Sequence, residues 1–456
     1  MFSRCLIANR GEVAARVARA CREMGVQPVG VYSRADRGAS WLELMEEAVC
    51  VGPAPASESY LRGERLLQAA LQTHCSALHP GWGFLAEDPR FAALCRQHGI
   101  AFVGPPAGVM ARMGVKSPAK RAMREAGLEV VPGSDGPVAD LESALRCAAE
   151  SGYPILLKAD RGGGGRGMRL CRDEGELRAA FRAAAAEALS AFGSGSIYLE
   201  RYLTGGRHVE VQLLADDYGA AVHLGERDCS VQRKHQKLIE ESPSPALDSD
   251  ERAELGRRAA EAARVIGYRG AGTIEFLRDS GGRTYFMEMN TRLQVEHPVS
   301  ELTSGVDIVV QQLRVAAGEP LGLSQDGVRL RGHAIECRLN AEDPLRDFRP
   351  GPGRLAAFEF PAHAGPGRLR VDTHLRAGDV IPPHYDSLLA KVIAWGETRA
   401  EALETLLQAL RGARIEGVPT TLPLHLAVLE SPAFQSGEYD TSAIPGWPPA
   451  AAAASS

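Results

Sequence analysis

The sequence predicts a mixed α/β and α+β protein. A doubly wound N-terminal domain on a parallel sheet is expected first, then smaller α+β units, then a β-rich C-terminal part. Three observations carry this expectation. The N-terminus alternates strand, helix and strand; a glycine run sits between two strand-like segments in mid-chain; and from about Arg331 the chain is mostly strand-like, closed by one helix.

The apolar run 5–8 reads as a strand and ends at Asn9-Arg10-Gly11. Val13, Val17, Ala20, Cys21 and Met24 then recur at helical spacing, with Arg16, Arg19 and Arg22 between them. Gly25 stops this helix, and residues 28–32 read as the next strand. A strand–helix–strand start implies parallel pairing, and the alternation continues to about Pro105. Further helices are expected over 116–126, 141–151 and 174–189, with strands over 154–159 and 168–172 around the glycines. From Ile197 strand-like pairs with two helices suggest a larger α+β domain, and a closing helix is expected over 399–411. The tail from Pro445, PGWPPAAAAASS, has no amphipathic pattern and is expected to be disordered. No internal repeat is visible.

Composition narrows the function. The 456 residues are 24% charged and 45% hydrophobic, enough chain for two to four domains with a substantial core. A formal net charge of -5 argues against a general nucleic-acid binder. The nine cysteines are scattered and never spaced as CxxC, which favours small core residues in a reducing compartment over a disulfide framework or structural zinc site. No stretch reaches the ~18 apolar residues of a membrane span, and the N-terminus lacks a signal-peptide pattern, so a cytoplasmic protein is expected.

Four segments carry candidate chemistry. Lys158 ends an apolar strand and leads into Ala-Asp-Arg-Gly-Gly-Gly-Gly-Arg-Gly-Met. The glycines free the backbone to offer N–H groups to phosphate oxygens. No Gly-Lys-Ser/Thr follows, so this is not a Walker A loop, and a strand rather than a helix follows, so it is not a Rossmann fingerprint. A flap over a nucleotide and a flexible surface hairpin both fit.

Second, the segments 273–277 and 285–290 read as strands around the turn signal Asp279-Ser280-Gly281-Gly282. An even-length loop centred near Gly281-Gly282 would place Glu275 and Glu288 on one face, with Asn290 joining by the period of two. These are hard oxygen ligands for Mg2+ or Mn2+ bridging phosphates; the alternative is a pair of solvent-facing acids. The inference depends on register, because an odd-length loop would break it. Ile274, Phe276, Met287 and Met289 would then line the buried face.

Third, Arg292-Leu-Gln-Val-Glu296-His297-Pro298 puts a guanidinium, an amide, a carboxylate and an imidazole within seven residues. An arginine fork suits a small planar oxyanion, and a neighbouring carboxylate suits a general base. Fourth, Arg227, Arg233, Lys234, His235 and Lys237 cluster in an acidic chain. An anion site and a solvated charged face both fit; nucleic acid fits poorly, because no aromatic interleaves the charges.

These segments occur in a fixed order. IANRGEVAAR, HPGWGFLAED, KADRGGGGRGM, ERDCSVQRKHQK, EMNTRLQVEHPVSE, GHAIECRLNAEDP and PPHYDSLLAK together closely resemble the biotin carboxylase family, within the ATP-grasp superfamily, over nearly all of residues 2–440. The resemblance implies a Rossmann-like pre-ATP-grasp domain (1–115), linker helices and an ATP-grasp lid (116–203), an ATP-grasp central domain (204–330), a C-terminal domain (331–444) and the tail (445–456). It implies ATP, Mg2+ or Mn2+, bicarbonate, and biotin on a carrier protein.

By the same resemblance Lys116, Lys158 and the flap glycines Gly163, Gly164 and Gly165 contact the ATP phosphates, with Met168 and Leu277 also at the nucleotide. Glu200, Arg201, Tyr202 and Leu203 match the adenine-contacting hinge, and His208, Gln232 and His235 match ribose or phosphate contacts. Glu275, Glu288 and Asn290 match the metal ligands. Lys237, Arg292, Gln294 and Val295 match bicarbonate contacts, Glu296 the base that deprotonates bicarbonate, and Arg338 the residue that stabilises the biotin enolate. Arg16, Arg19 and Glu23 lie on a helix that resembles the family's dimer surface, so a homodimer is implied. No Met-Lys-Met occurs, so biotin is expected on a separate carrier protein and the carboxyltransferase on separate subunits, with no nucleic-acid or membrane partner. Three positions depart from the pattern: Trp82 where tyrosine is expected, Arg161 at the first of the usual five glycines, and Val115 where an acid is common. A non-catalytic scaffold that binds nucleotide would draw its support from Arg161 and Trp82 alone.

Overall fold

The computed structural model describes residues 1–160, 168–234 and 236–448. β1 (Arg4–Ile7) runs into α1 (Gly11–Glu23), and β2 (Gln27–Ser33) returns parallel to β1. β3 (Glu47–Gly52), α2 (Gly63–Gln72), β4 (Ala77–His79), α3 (Pro89–Gln97), β5 (Ala101–Phe102) and α4 (Ala107–Met113) follow. The sheet is parallel throughout, in the order β3-β2-β1-β4-β5. Because successive side chains leave a strand on opposite faces, β1 feeds two cores. Cys5 and Ile7 pack with α1, whereas Leu6 and Ala8 pack with α2 and α3. Helices on both faces make this unit doubly wound.

α5 (Lys116–Glu125) leads to a smaller unit of α6 (Leu141–Ser151), β6 (Ile155–Ala159), β7 (Arg169–Cys171), α7 (Glu174–Phe192) and β8 (Ile197–Arg201). Its antiparallel sheet has β6 in the centre, and a separate core of Ala144, Ala148, Ile155, Leu157, Leu177 and Leu199 holds the helices to it. Asp140 and Asp173 cap α6 and α7 by accepting the N–H groups of Ser143 and Glu176. The flap glycines lie between β6 and β7, outside the described residues, as does His235.

The remaining chain builds one large antiparallel sheet of eight strands, beside three two-stranded ones. Its elements are β9 (Arg207–Ala215), β10 (Ala221–Arg233), β11 (Gln236–Ser242), α8 (Ser249–Val265), β12 (Gly270–Arg278), β13 (Thr284–Asn290), α9 (His297–Ser304), α10 (Ile308–Ala316), β14 (His333–Asn340), β15 (Arg368–Thr373), β16 (Leu388–Gly396) and α11 (Arg399–Gly412). The strand order is β13-β12-β9-β10-β11-β14-β16-β15. The β11–β14 ladder therefore joins strands that the sequence divides between a central and a C-terminal unit.

Two helices absent from the sequence reading close the chain, α12 (Leu422–Glu430) and α13 (Pro432–Ser436). α12 reads LPLHLAVLE, apolar on nearly every side, so it shows no stripe to detect. The first residues of the expected disordered tail are folded: Pro445 is buried and Trp447 packs on the C-terminal core. All nine cysteines are free thiols, seven of them buried. Among the described residues no helix is long and apolar enough to cross a membrane. Arg16 of α1 is buried within the chain by ion pairs to Glu301 at 2.8 Å and Asp307 at 2.7 Å, whereas Arg19 and Glu23 are exposed.

Candidate active site

The β12–β13 hairpin forms one wall of the site, and its register differs from the expected one. Arg278 pairs with Thr284, leaving the five residues 279–283 in the turn, an odd number. That loop alone would part Glu275 from Glu288. The ladder then shifts: Phe276 pairs with Phe286, but Glu275 pairs with Glu288, and Met287 is the extra residue. This bulge restores the shared face that the loop would have broken. It also moves Met287 out of the expected core position and onto the site, while Phe286 joins Ile274, Phe276 and Met289 in the core. Asn290 sits one period beyond Glu288 and donates its amide Nδ2 to Glu275 Oε1 at 2.8 Å.

Together with β6, β8, β9, β11 and β14, the hairpin encloses a cavity of about 690 Å³. Its lining includes Lys116, Lys158 and Met168, with the β8 segment Glu200, Arg201, Tyr202 and Leu203. His208, Gln232 and Leu277 line it too, as do Glu275, Glu288 and Asn290. Lys237, Arg292, Gln294, Val295 and Arg338 complete this set, with the half-buried Trp82. One fold thus gathers every described residue assigned to nucleotide, metal, bicarbonate or biotin except Glu296, which is fully buried and touches the cavity's cations.

Around Glu296 lies a dense ionic cluster. Lys237 Nζ lies 2.5 Å from Glu210, 2.8 Å from Glu275 and 2.7 Å from Glu296. Arg338 Nη2 lies 2.8 Å from Glu296 Oε2, and Arg338 Nε donates to Glu240 at 2.6 Å. Burial pushes the Glu296 carboxyl up, but Lys237, Arg338 and Arg227 outweigh it and hold it well below the usual range. Glu296 is therefore an anion able to accept a proton. Burial opposes the charge on Lys237, and the three glutamates more than restore it.

Glu275 is likewise held low: burial raises it, and Lys237 and His208, whose Nε2 is 3.2 Å away, overcome that. Glu288 behaves oppositely. Burial and the facing Glu275 push its carboxyl up. Two carboxylates facing each other at a strand pair, one of them destabilised by the other, form a donor set suited to a hard divalent cation. Asn290 fits less simply, because its Oδ1 already accepts from Arg292 Nη2 at 3.0 Å.

Arg292 is fixed from three directions: Glu87 accepts from Nε at 2.9 Å, Gln294 from Nη1 at 3.0 Å, and Asn290 from Nη2. Glu200 of β8 is clasped by Lys158 and by Lys120, the latter at 2.9 Å. Burial pushes Glu200 up, but Lys158 and Lys120 bring it down to about 2.

The basic segment is not a net positive patch. Arg227 is fully buried and donates to Glu210, Gln212, Ser300 and Thr273 at 2.6–3.1 Å, so it orders the glutamates and meets no ligand. Arg233 and Lys234 pair with Asp347. Lys237 alone among the described cations of this segment contacts all three of Glu210, Glu275 and Glu296.

Several working residues went unnoticed in the sequence. Glu210 follows His208 at strand period two and was legible on that ground. Glu87, Lys120, Glu240 and Lys391 come from separate elements and carry no local signal. Lys391, fully buried, donates to the Val295 carbonyl at 3.1 Å and so braces the loop before Glu296.

Comparison with known proteins agrees with this arrangement. Residues 1–110 match the family described as biotin carboxylase, N-terminal domain; residues 116–324 the carbamoyl-phosphate synthase L chain, ATP binding domain; and residues 336–445 the biotin carboxylase C-terminal domain. The chain is 52% identical over 443 residues to the biotin carboxylase of Nostoc sp., covering 97% of this chain and 98% of that one. Its fold matches the biotin carboxylase domain dimer of Hydrogenobacter thermophilus 2-oxoglutarate carboxylase, solved with MgADP, ADP and bicarbonate, at a TM-score of 0.92 and 46% identity over 97% of this chain and 96% of that one. It matches the biotin carboxylase–βγ-ATP complex of Campylobacter jejuni at a TM-score of 0.93 and 45% identity, over 97% of this chain and 98% of that one. With family models matching most of residues 1–445 and a relative 52% identical over 97% of the chain, the chain belongs to the biotin carboxylase family, ATP-grasp enzymes that carboxylate biotin at the expense of ATP.

Proposed function

We propose that this cleft transfers CO2 from bicarbonate to biotin in two linked steps, with the residues above in defined roles. The observation that carries the reading is Glu296: a buried, anionic carboxylate with Lys237 on one oxygen and Arg338 on the other.

Bicarbonate is a weak nucleophile. Lys237, Arg292, Gln294 and the Val295 backbone would hold it against Glu296, which takes its proton. The oxygen so freed attacks the ATP γ-phosphate, breaking the bond to ADP and forming carboxyphosphate. Lys116, Lys158 and the glycine flap would offset charge on the phosphates, with Glu200–Leu203 seating the base, Met168 and Leu277 beside it, and His208, Gln232 and His235 at the ribose and phosphates. Glu275, Glu288 and Asn290 would hold Mg2+ or Mn2+, which when bound neutralises phosphate charge; Asn290 would do so while sharing its amide oxygen with Arg292.

Carboxyphosphate then divides into CO2 and phosphate. The phosphate takes the proton from biotin N1, the ureido oxygen becomes an enolate oxygen beside Arg338, and N1 attacks CO2. A fixed guanidinium stabilises that oxyanion without reorganising at the moment of reaction. Closure of the lid unit would keep water from carboxyphosphate.

We place the reaction as the first half-reaction of an acyl-CoA carboxylase, with biotin on a separate carrier protein, separate transferase subunits and a homodimer of this chain. Bicarbonate-dependent ATP hydrolysis stimulated by free biotin tests the core reading. Folded protein that binds ATP but hydrolyses none would overturn it in favour of a scaffold. Purification with its biotinylated partner, followed by assay of candidate acceptors, tests the acyl-CoA assignment; carboxylation of a keto acid instead would replace it.

A further inference from the structure

Glu336 is a buried acid to which no step above gives a task. It stands on β14 directly opposite Glu240 of β11, two residues before Arg338 and on the same face. Both glutamates are 0% exposed. Glu240 Oε1 takes the Arg338 fork at 2.5 and 2.6 Å. Glu240 Oε2 and both oxygens of Glu336 have no hydrogen-bond partner among the described residues.

Directly opposed strand residues hold their Cβ atoms about 4.5–5.5 Å apart, so the two carboxyl groups are within reach of each other. Two ionised carboxylates there, with three oxygens lacking a donor, would be strongly unfavourable. One proton between them removes the unpaired charge and supplies the missing donor.

The surrounding charges do not supply an alternative. Lys391 of β16 faces Glu336, but its ammonium is committed to Glu12 at 3.1 Å and Asp372 at 3.7 Å. Arg338 is committed to Glu240 and Glu296, and Lys237 to its three glutamates. Glu296, just before α9, adds negative charge; within α9, His297 is held neutral by burial and nearby cations, and Glu301 pairs with Arg16 and Arg370. α11 packs against the sheet with Ala402, Leu406 and Ala409, and His425 of α12 meets the Arg338 carbonyl. Burial pushes Glu336 well above the usual carboxyl range and Glu240 up to about 7.

We propose that Glu336 is a positioning residue: it remains a neutral carboxylic acid in the working enzyme and donates its proton to Glu240 Oε2, which keeps Glu240 an anion that aims the Arg338 fork at biotin. This rests on the role given above to Arg338.

Glu336→Gln keeps a neutral donor of the same shape, whereas Glu336→Leu keeps only apolar volume. Carboxylation of free biotin by Glu336→Gln is expected to stay within about 2-fold of wild type, and by Glu336→Leu to fall about tenfold or more, the cost of one hydrogen bond to a charged group. Bicarbonate-dependent ATP hydrolysis without biotin should change little in either. The loss of biotin carboxylation at alkaline pH that follows ionisation of Glu336 should disappear in Glu336→Gln. Infrared spectra at neutral pH should show a protonated-carboxyl band in wild type that Glu336→Gln lacks, whatever Arg338 does. Absence of that band, or equal losses in Gln and Leu variants, overturns the proposal. Arg338→Ala assayed alongside separates the two claims: if it fails on biotin while Glu336→Leu is unimpaired, the proposal alone falls, and if Arg338→Ala remains active, the reading beneath it falls as well.

Discussion

Arg338 Nη2 lies 2.8 Å from Glu296 Oε2, so the cation assigned to biotin and the base assigned to bicarbonate are in direct contact before either substrate arrives. The contact orders both groups. It also couples them: a bicarbonate that draws Lys237 away from Glu296 raises the proton affinity of Glu296, because opposite charge nearby is what depresses it. The base would be weak when the site is empty and stronger when its substrate is in place.

Replacement of Glu296 by Gln keeps the shape of that contact but removes the proton acceptor. Bicarbonate-dependent ATP hydrolysis is expected to fall by about 10²–10⁴, the usual worth of a general base. ATP binding, measured by calorimetry, should persist, since none of the residues assigned to the nucleotide is changed. Turnover near the wild-type rate would remove Glu296 from the role of base.

Arg338→Ala leaves Glu240 and Glu296 without their shared partner. Biotin carboxylation should drop by about 10²-fold or more, as when a donor to a developing oxyanion is lost, while measurable ATP binding remains. Intact carboxylation would sink the assigned role.

The fold was largely legible because hydrophobic period and glycine placement are local signals. β1, α1 and β2 lie within about two residues of their expected bounds. The hairpin shows where such reasoning stops. Glu275 and Glu288 do share a face, but the argument from an even loop was wrong, and a bulge at Met287 supplies the register. A bulge is set by tertiary packing of Phe286 against Ile274 and Phe276, which no local pattern reports. Likewise Arg227 reads in sequence as part of an anion site or of a solvated charged face, yet it is the fully buried partner of Glu210. Chain-distant partners such as Glu87 for Arg292 and Lys391 for Val295 become visible only once strands and loops are placed.

Glu288→Lys tests the paired acids. A lysine there would put an ammonium beside Glu275 and fill the charge gap meant for a divalent cation. Metal-dependent turnover should be abolished, and titration with Mn2+ and ATP, read by electron paramagnetic resonance, should show loss of the bound ion. An active variant would remove the hairpin from the metal site.

The clasp of Lys120 and Lys158 on Glu200 makes a prediction about acid stability. Glu200 is nine-tenths or more buried, and its carboxyl is lowered from 4.5 to about 2 by the two lysines against the opposing effect of burial. A depressed carboxyl stabilises the fold above its ordinary range and loses that contribution as pH falls through its folded value. The shift corresponds to roughly 3 kcal/mol at most, of which Lys120 supplies a part. Lys120→Met should therefore cost about 1–3 kcal/mol at neutral pH, where the buried pair is broken on one side. The gap between variant and wild type should narrow as pH drops from 4.5 towards about 2, because protonated Glu200 no longer needs either lysine. Denaturant unfolding of both proteins across that range measures the gap. A gap that stays constant, or widens in acid, would show that Lys120 stabilises the fold by packing or through its bond to the Val131 carbonyl, and not through the charge on Glu200.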